Sequence, residues 1–166
     1  MLRMLVLLTL LLQNPTEKLP ERGIIAGNLL PSADGLPSGS VQIILLSPEY
    51  TNVWGSDAQK RLDLYWERYK QAFAQRKEFF FEVSAMARRE TLGYVINRMQ
   101  RDPRIRIEDF VRTMNSDGKF EFKDLPLGEY RIVAFGKVGA EDEFWEGSVE
   151  VVNSVPQFVR LKKVIP

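Results

Sequence analysis

Catalytic chemistry in proteins rests most often on histidine and cysteine, and this 166-residue chain contains neither. Without cysteine there is no disulfide, no thiolate nucleophile and no zinc–thiolate site. Without histidine the commonest general base and the commonest transition-metal ligand are gone. Neither a Ser-His-Asp nor a Cys-His arrangement can be built from one copy of the chain. Carboxylate, lysine and tyrosine chemistry remains. Two stretches offer the oxygen ligands that calcium takes, Asn115-Ser116-Asp117-Gly118 and Glu141-Asp142-Glu143. Neither extends into a full calcium loop, and Asn-x-Asp-Gly is first of all a turn. Glu141 and Glu143 have no partner that spacing identifies as acid or base. The expectation is a protein with no catalytic residue, no metal site and no cofactor, and therefore not an enzyme.

The rest of the composition is that of a globular domain. Hydrophobic residues make up 45% and charged residues 27%, enough apolar material for a real core. A net charge of +1 gives no general reason to expect nucleic acid or an anionic membrane as partner. At the N-terminus, Arg3 precedes the apolar run Leu5–Leu12. That run is shorter than the roughly 20 residues a membrane span needs, and it matches the apolar core of a secretory signal peptide. No small-x-small triplet follows it to mark cleavage. Residues 1–20 are expected to be a signal peptide or an apolar N-terminal segment, and the protein to be extracytoplasmic: secreted, periplasmic or on the cell surface.

Two blocks of strands flank a helical block. GIIAGNLL (23–30), the turn-rich PSADGLPSG (31–39) and SVQIILLS (40–47) open the first, and the last run suits a strand in the centre of a packed sheet. From Ser56 to about Arg101 there is no proline, and Gly93 is the one glycine. Ser56 or Asp57 could cap a helix there. Leu62, Trp66, Tyr69, Phe73, Phe80, Val83 and Ala87 recur at three-to-four spacing between lysines and arginines, so one face is apolar and aromatic. Asp102-Pro103 ends the block. Strands return with DFVRTMN, KFEFK, EYRIVAFG, FWEGSVEVV and PQFVRLKKV, separated by turns at 115–118 and 125–128 and by the loop KVGAEDE. About seven short strands with turns between them is the pattern of a β-sandwich.

Segments 27–45 and 113–134 carry a further pattern. Gly35-Leu36-Pro37 precedes the apolar Val41, Ile43 and Leu45; Asp117-Gly118-Lys119-Phe120-Glu121-Phe122 forms a D-G-x-F-x-F element; and Leu125, Pro126, Gly128 and Tyr130 follow in order. In these residues the chain resembles the carboxypeptidase regulatory-like domain, a transthyretin-like (prealbumin-like) β-sandwich. The resemblance covers 22–53 and 109–163. It implies a seven-stranded Greek-key sandwich used for binding, adhesion or scaffolding. Enzymes of related folds use histidines that this chain lacks. The same residues also have a plain physical reading. Phe120 and Phe122 alternate with Glu121 and Lys123, so one face packs and the other meets water. Tyr130 brings a large apolar body whose hydroxyl can reach a nearby backbone group.

The helical block departs from that family pattern. The expected division is a β-sandwich domain of 21–53 plus 109–166, with a helical insertion of 54–108 between strands 2 and 3. One straight helix of about 45 residues would run about 68 Å, whereas the link from Pro103 to Asp109 returns at most about 25 Å. Either two helices form a hairpin, bending near Gln75–Phe81 or Arg88–Gly93, or a longer helix lies across the body. The hairpin is preferred. Residues 57–112 hold 13 Lys and Arg against 9 Asp and Glu, an excess of four positive charges. The signs are mixed as on any solvated helix, so nucleic acid is not the expected partner. Trp66, Tyr69, Phe73, Phe79, Phe80 and Phe81 must bury against something, either the chain's own sheet or another subunit. Three consecutive phenylalanines cannot share one helix face, so at least one needs a second surface. The expected function is protein–protein assembly, or self-association, through the helical insertion. Sandwich edge strands offer a second contact by strand addition. The alternative is a carbohydrate- or small-ligand-binding module that uses exposed aromatics such as Trp54 or Trp145.

Overall fold

The computed structural model describes residues 21–29, 40–76, 78–114, 118–138 and 141–164. The N-terminal run, the Gly35-Leu36-Pro37 turn and Asn115–Asp117 lie outside the described residues. Seven strands follow in chain order: β1 (Arg22–Leu29), β2 (Gln42–Leu46), β3 (Val111–Thr113), β4 (Lys119–Pro126), β5 (Gly128–Val138), β6 (Glu141–Val151) and β7 (Gln157–Lys163). They make one mixed sheet in the order β3-β2-β5-β6-β7-β1-β4, nearly barrel-shaped. Neighbours are antiparallel except β1 and β7, which run parallel. β5 and β6 form a long hairpin from Gly128↔Val151 to Val138↔Glu141. The expected loop over 137–143 is therefore mostly strand.

Alternation along the strands fills the inside of the curl. Ile25, Ile43, Leu45, Phe122, Ile132, Ala134, Trp145 and Leu161 are fully buried in one cluster there. The turn chemistry agrees with the sequence. Gly118 takes the positive φ of 76° that a tight turn requires of it. The Tyr130 hydroxyl donates to the Pro126 carbonyl at 2.9 Å, so its polar tip is satisfied inside the core.

Strands β2 and β5 are buried on both faces, which is why Ile43-Ile44-Leu45-Leu46 reads as an unbroken apolar run. Their outer residues Ile44, Leu46 and Val133, with Phe144 of β6, meet a helical hairpin. Its arms are α1 (Pro48–Gln75) and α2 (Phe79–Gln100), and a single turn, α3 (Ile107–Phe110), leads into β3. Tyr50 and Trp54 of α1 and Leu92, Val95 and Met99 of α2 rest on the sheet. The helix begins earlier than Ser56 or Asp57. Ser47 occupies the N-cap position and proline stands in the first turn, where its missing N–H is harmless. The expected insertion boundary at residue 54 falls inside α1. Gly55 does not interrupt the helix, because it faces open space and only lowers local propensity.

There are two helices, and the chain bends at the first of the two expected places. Arg76 is extended (φ −141°, ψ 98°), and Phe79 N–H donates to the Arg76 carbonyl at 3.2 Å. No proline or glycine makes this bend. Packing makes it: Phe73 before the turn meets Phe79 after it at 5.7 Å between ring centroids, and the Arg76 guanidinium lies 5.2 Å from the Phe79 ring centroid.

Candidate interaction site at the hairpin tip

Two kinds of packing hold the hairpin. At its base α1 and α2 are joined to the sheet. Beyond that, Tyr65, Phe73, Val83 and Ala87 form a separate cluster with Leu62, Tyr69, Phe79 and Met86, made by the helices alone. Polar contacts follow the same division. Arg88 of α2 donates to Glu146 of β6 at 2.9 Å, and Glu146 also accepts from Arg131 of β5. Arg89 donates to Asp142 at 2.7 Å. At the other corner of the base, the Tyr50 hydroxyl donates to Asp102 at 2.9 Å, and Arg104 donates to the same carboxylate from both its side chain and its backbone N–H. The Arg104 side chain, its backbone N–H and Tyr50 together hold the Asp102 carboxyl well below the usual carboxylate range. Burial, and then the Asp102 partner, push the Tyr50 phenol up.

All six expected interface aromatics come together at the tip. Trp66 stacks on Phe73 at 5.2 Å, and Phe80 stands edge-on to both, at 6.3 and 5.9 Å. Tyr69 meets Phe79 at 5.6 Å, and Phe80 meets Phe81 at 6.1 Å. The set divides by exposure. Phe73 is buried and Tyr69 and Phe79 half-buried, while Trp66 is 50% and Phe81 48% exposed. Tyr69, Phe73 and Phe79 pack in the helices' own cluster rather than in the core clusters of the sheet. The three consecutive phenylalanines split as helix geometry requires. Phe79 and Phe80 face α1, and Phe81 turns into a cleft of about 680 Å³ between α2 and the sheet, beside Phe144 and Lys163.

Tyr65 belongs with this group although the helical periodicity did not single it out. It lies 6.1 Å from Tyr69, and its hydroxyl donates to Glu90 at 2.6 Å. That hydrogen bond is the main cause that raises its phenol above the ordinary value. Its position four before Tyr69 and eight before Phe73 was the available signal.

The two tryptophans expected as sugar platforms do not serve as platforms. Trp54 is 2% exposed, on the α1 face that meets the sheet, and Trp145 is 0% exposed, on the inner face of β6. Two of the three acidic residues at 141–143 are also committed elsewhere. Asp142 pairs with Arg89, and the buried Glu143 accepts from Lys163 at 2.5 Å. Among the described residues no group of three or more Asp or Glu side chains is arranged to hold a metal ion. No helix among them is long and apolar enough to cross a membrane.

Comparison with known proteins gives weak structural likenesses only. No protein-family model matches the chain, and no curated protein matches it. Among solved structures it is similar to PA1324 of Pseudomonas aeruginosa, a candidate carbohydrate-binding protein: 18% identity over 86% of this chain and 88% of that one, at a TM-score of 0.37. It is also similar to the pilus backbone protein RrgB of Streptococcus pneumoniae: 13% identity over 86% of this chain and 41% of that one, at a TM-score of 0.31. Both are β-rich.

Proposed function

We propose that this chain is a non-enzymatic assembly module of the extracytoplasmic space. In this reading it is a transthyretin-like, carboxypeptidase regulatory-like Greek-key β-sandwich that carries the α1–α2 hairpin as its insertion and binds a second copy of itself through the hairpin tip. The observation that carries the proposal is the exposed aromatic cluster at the tip. Trp66 and Phe80 are exposed together at the end of the hairpin beyond the sheet, and Phe81, next to Phe80, is half-exposed at the mouth of the cleft between α2 and the sheet. Such a patch usually marks an interface. The base of the hairpin already has its partner in the sheet, so the tip is the surface left over.

A second copy suits the charges around the tip. The segment 67–82 holds Glu67, Glu78 and Glu82 among Arg68, Lys70, Arg76 and Lys77, so both signs are mixed. A two-fold contact places the same patch on itself, which mixed charge tolerates and charge of one sign does not. The family resemblance in 113–134 supports the module reading, and Arg3 followed by Leu5–Leu12 supports export. The test is the mass of the full chain by light scattering across a concentration series, beside the double variant Trp66→Ser, Phe81→Ser. Association that rises with concentration and disappears in the variant is expected. A full chain that stays monomeric throughout would overturn the reading.

A further inference from the structure

The sheet curls without closing. β3 and β4 are its two edges, and among the described residues neither is paired with the other. A cleft of about 780 Å³ lies along this seam. Phe110 and Arg112 line it from the β3 side, Glu121, Lys123 and Leu125 from the β4 side, and Arg22 from β1. Each edge strand is hydrogen-bonded on one side only, so the outer side of β4 presents a row of backbone donors and acceptors.

The cations at the seam are not equivalent. Lys123 pairs with Glu121 at 2.9 Å, and Arg106 with Asp109 at 3.3 Å. Among the described residues, Arg22 and Arg112 donate hydrogen bonds only to backbone oxygens. Arg22 donates to the Asp124 carbonyl at 2.7 Å, and Arg112 to the Val111 carbonyl at 3.2 Å. The Arg112 guanidinium also lies 5.7 Å from the centroid of the Phe122 ring, so it covers the core where the curl is open. Neither arginine has a carboxylate partner among the described residues. A guanidinium has five donors in a planar fork, and a carbonyl uses only part of it.

We propose that the seam is a strand-acceptor site for an extended acidic segment of a partner protein. The segment adds to the open edge of β4 by backbone hydrogen bonds and sets carboxylates on Arg22 and Arg112, completing the curl. The edge calls for a peptide rather than a free anion, and the two unpaired guanidiniums call for an acidic one. The exposed Lys119, Glu121 and Lys123 along β4 are the kind of charge that turns away apolar strands. This site is distinct from the hairpin tip and does not depend on the proposal made for it.

The test uses the full chain carrying Trp66→Ser and Phe81→Ser, so that the tip contributes nothing. A labelled peptide of alternating Glu and Val, about as long as the eight residues of β4, is titrated and followed by fluorescence anisotropy. Hydrogen exchange is measured on the same samples. The Glu peptide is expected to bind at least about tenfold more tightly than its Lys counterpart, and Arg112→Gln to weaken it about tenfold, the scale of one charge-assisted hydrogen bond. Arg22→Gln is expected to do the same, and it serves should the Arg112 variant fail to fold. Amides of β4 should exchange more slowly when peptide is bound. No binding at millimolar peptide overturns the proposal. So do equal affinities for the two peptides, and so does binding without protection of β4, which is adhesion of charge to the surface. Protection of β4 that rises with protein concentration alone would assign the seam to a second copy and overturn the acidic partner.

Discussion

Two tryptophans on helix α1 provide a sharp test of how the hairpin is held. Trp54 is 2% exposed between the helix and the sheet, and Trp66 is 50% exposed at the tip. A buried aromatic removes about 150–250 Å² from water, which at about 25 cal/mol per Å² amounts to about 4–6 kcal/mol gross. Truncation to alanine also leaves a cavity, and buried aromatics lose about 3–5 kcal/mol on that change. Trp54→Ala should therefore cost about 3–5 kcal/mol, a large share of the stability of a domain this size. Trp66 keeps about half of its area in water, and its stack on Phe73 adds little beyond area, so Trp66→Ala should cost about 1–2 kcal/mol. The assay is urea denaturation followed by far-ultraviolet circular dichroism, whose signal does not depend on the missing indole. It is run at a concentration low enough to exclude association. Losses within about 0.5 kcal/mol of each other, smaller than the spread among ordinary substitutions, would refute the assignment of Trp54 to the sheet-facing base and Trp66 to the tip.

Four further outcomes follow from the same packing. Glu146→Gln leaves Arg88 and Arg131 facing each other without their shared anion, and should lower stability by about 3 kcal/mol in the same denaturation assay. Because the Asp102 carboxyl is depressed in the folded state, its contribution is fully present above the unfolded value near 4 and is lost as pH falls below it. The gap in urea midpoint between the parent protein and Asp102→Asn should accordingly be constant from pH 7 to about pH 5 and shrink toward pH 2. Gly93→Ala, in mid-helix with nothing near its would-be Cβ, should raise stability by about 0.5–1 kcal/mol. Gly27→Ala should instead lower it by about 1–3 kcal/mol or more, because its Cβ would fall 2.5 Å from the Val159 carbonyl oxygen.

The strands were the most legible part of the chain, because local alternation and turn chemistry fix them. Phe120 and Phe122 point inward, Gly118 takes positive φ, and the Tyr130 hydroxyl finds the Pro126 carbonyl. The apolar run of β2 suited a strand in the centre of a packed sheet, and the hairpin base covers its outer face. The start of α1 was harder to place, because Pro48 and Gly55 resemble loop punctuation and are tolerated at a first turn and on an open face. That error left Trp54 in a loop and made it look available to a ligand. The bend at Arg76 carries no local breaker, so a pattern of residues could only bracket it; contacts between Phe73 and Phe79 decide it. The seam was not legible at all. Arg22 and Arg112 lie 90 positions apart in the sequence, and only the curl of the sheet brings them to one cleft.

The hairpin tip is proposed as the contact between copies. Light-scattering mass of the full chain across a concentration series, with Trp66→Ser, Phe81→Ser beside it, tests this directly. Rising mass in the parent and a folded monomer in the variant at every concentration is the predicted result. A parent protein that remains monomeric, or a variant that associates as strongly as the parent, would contradict it.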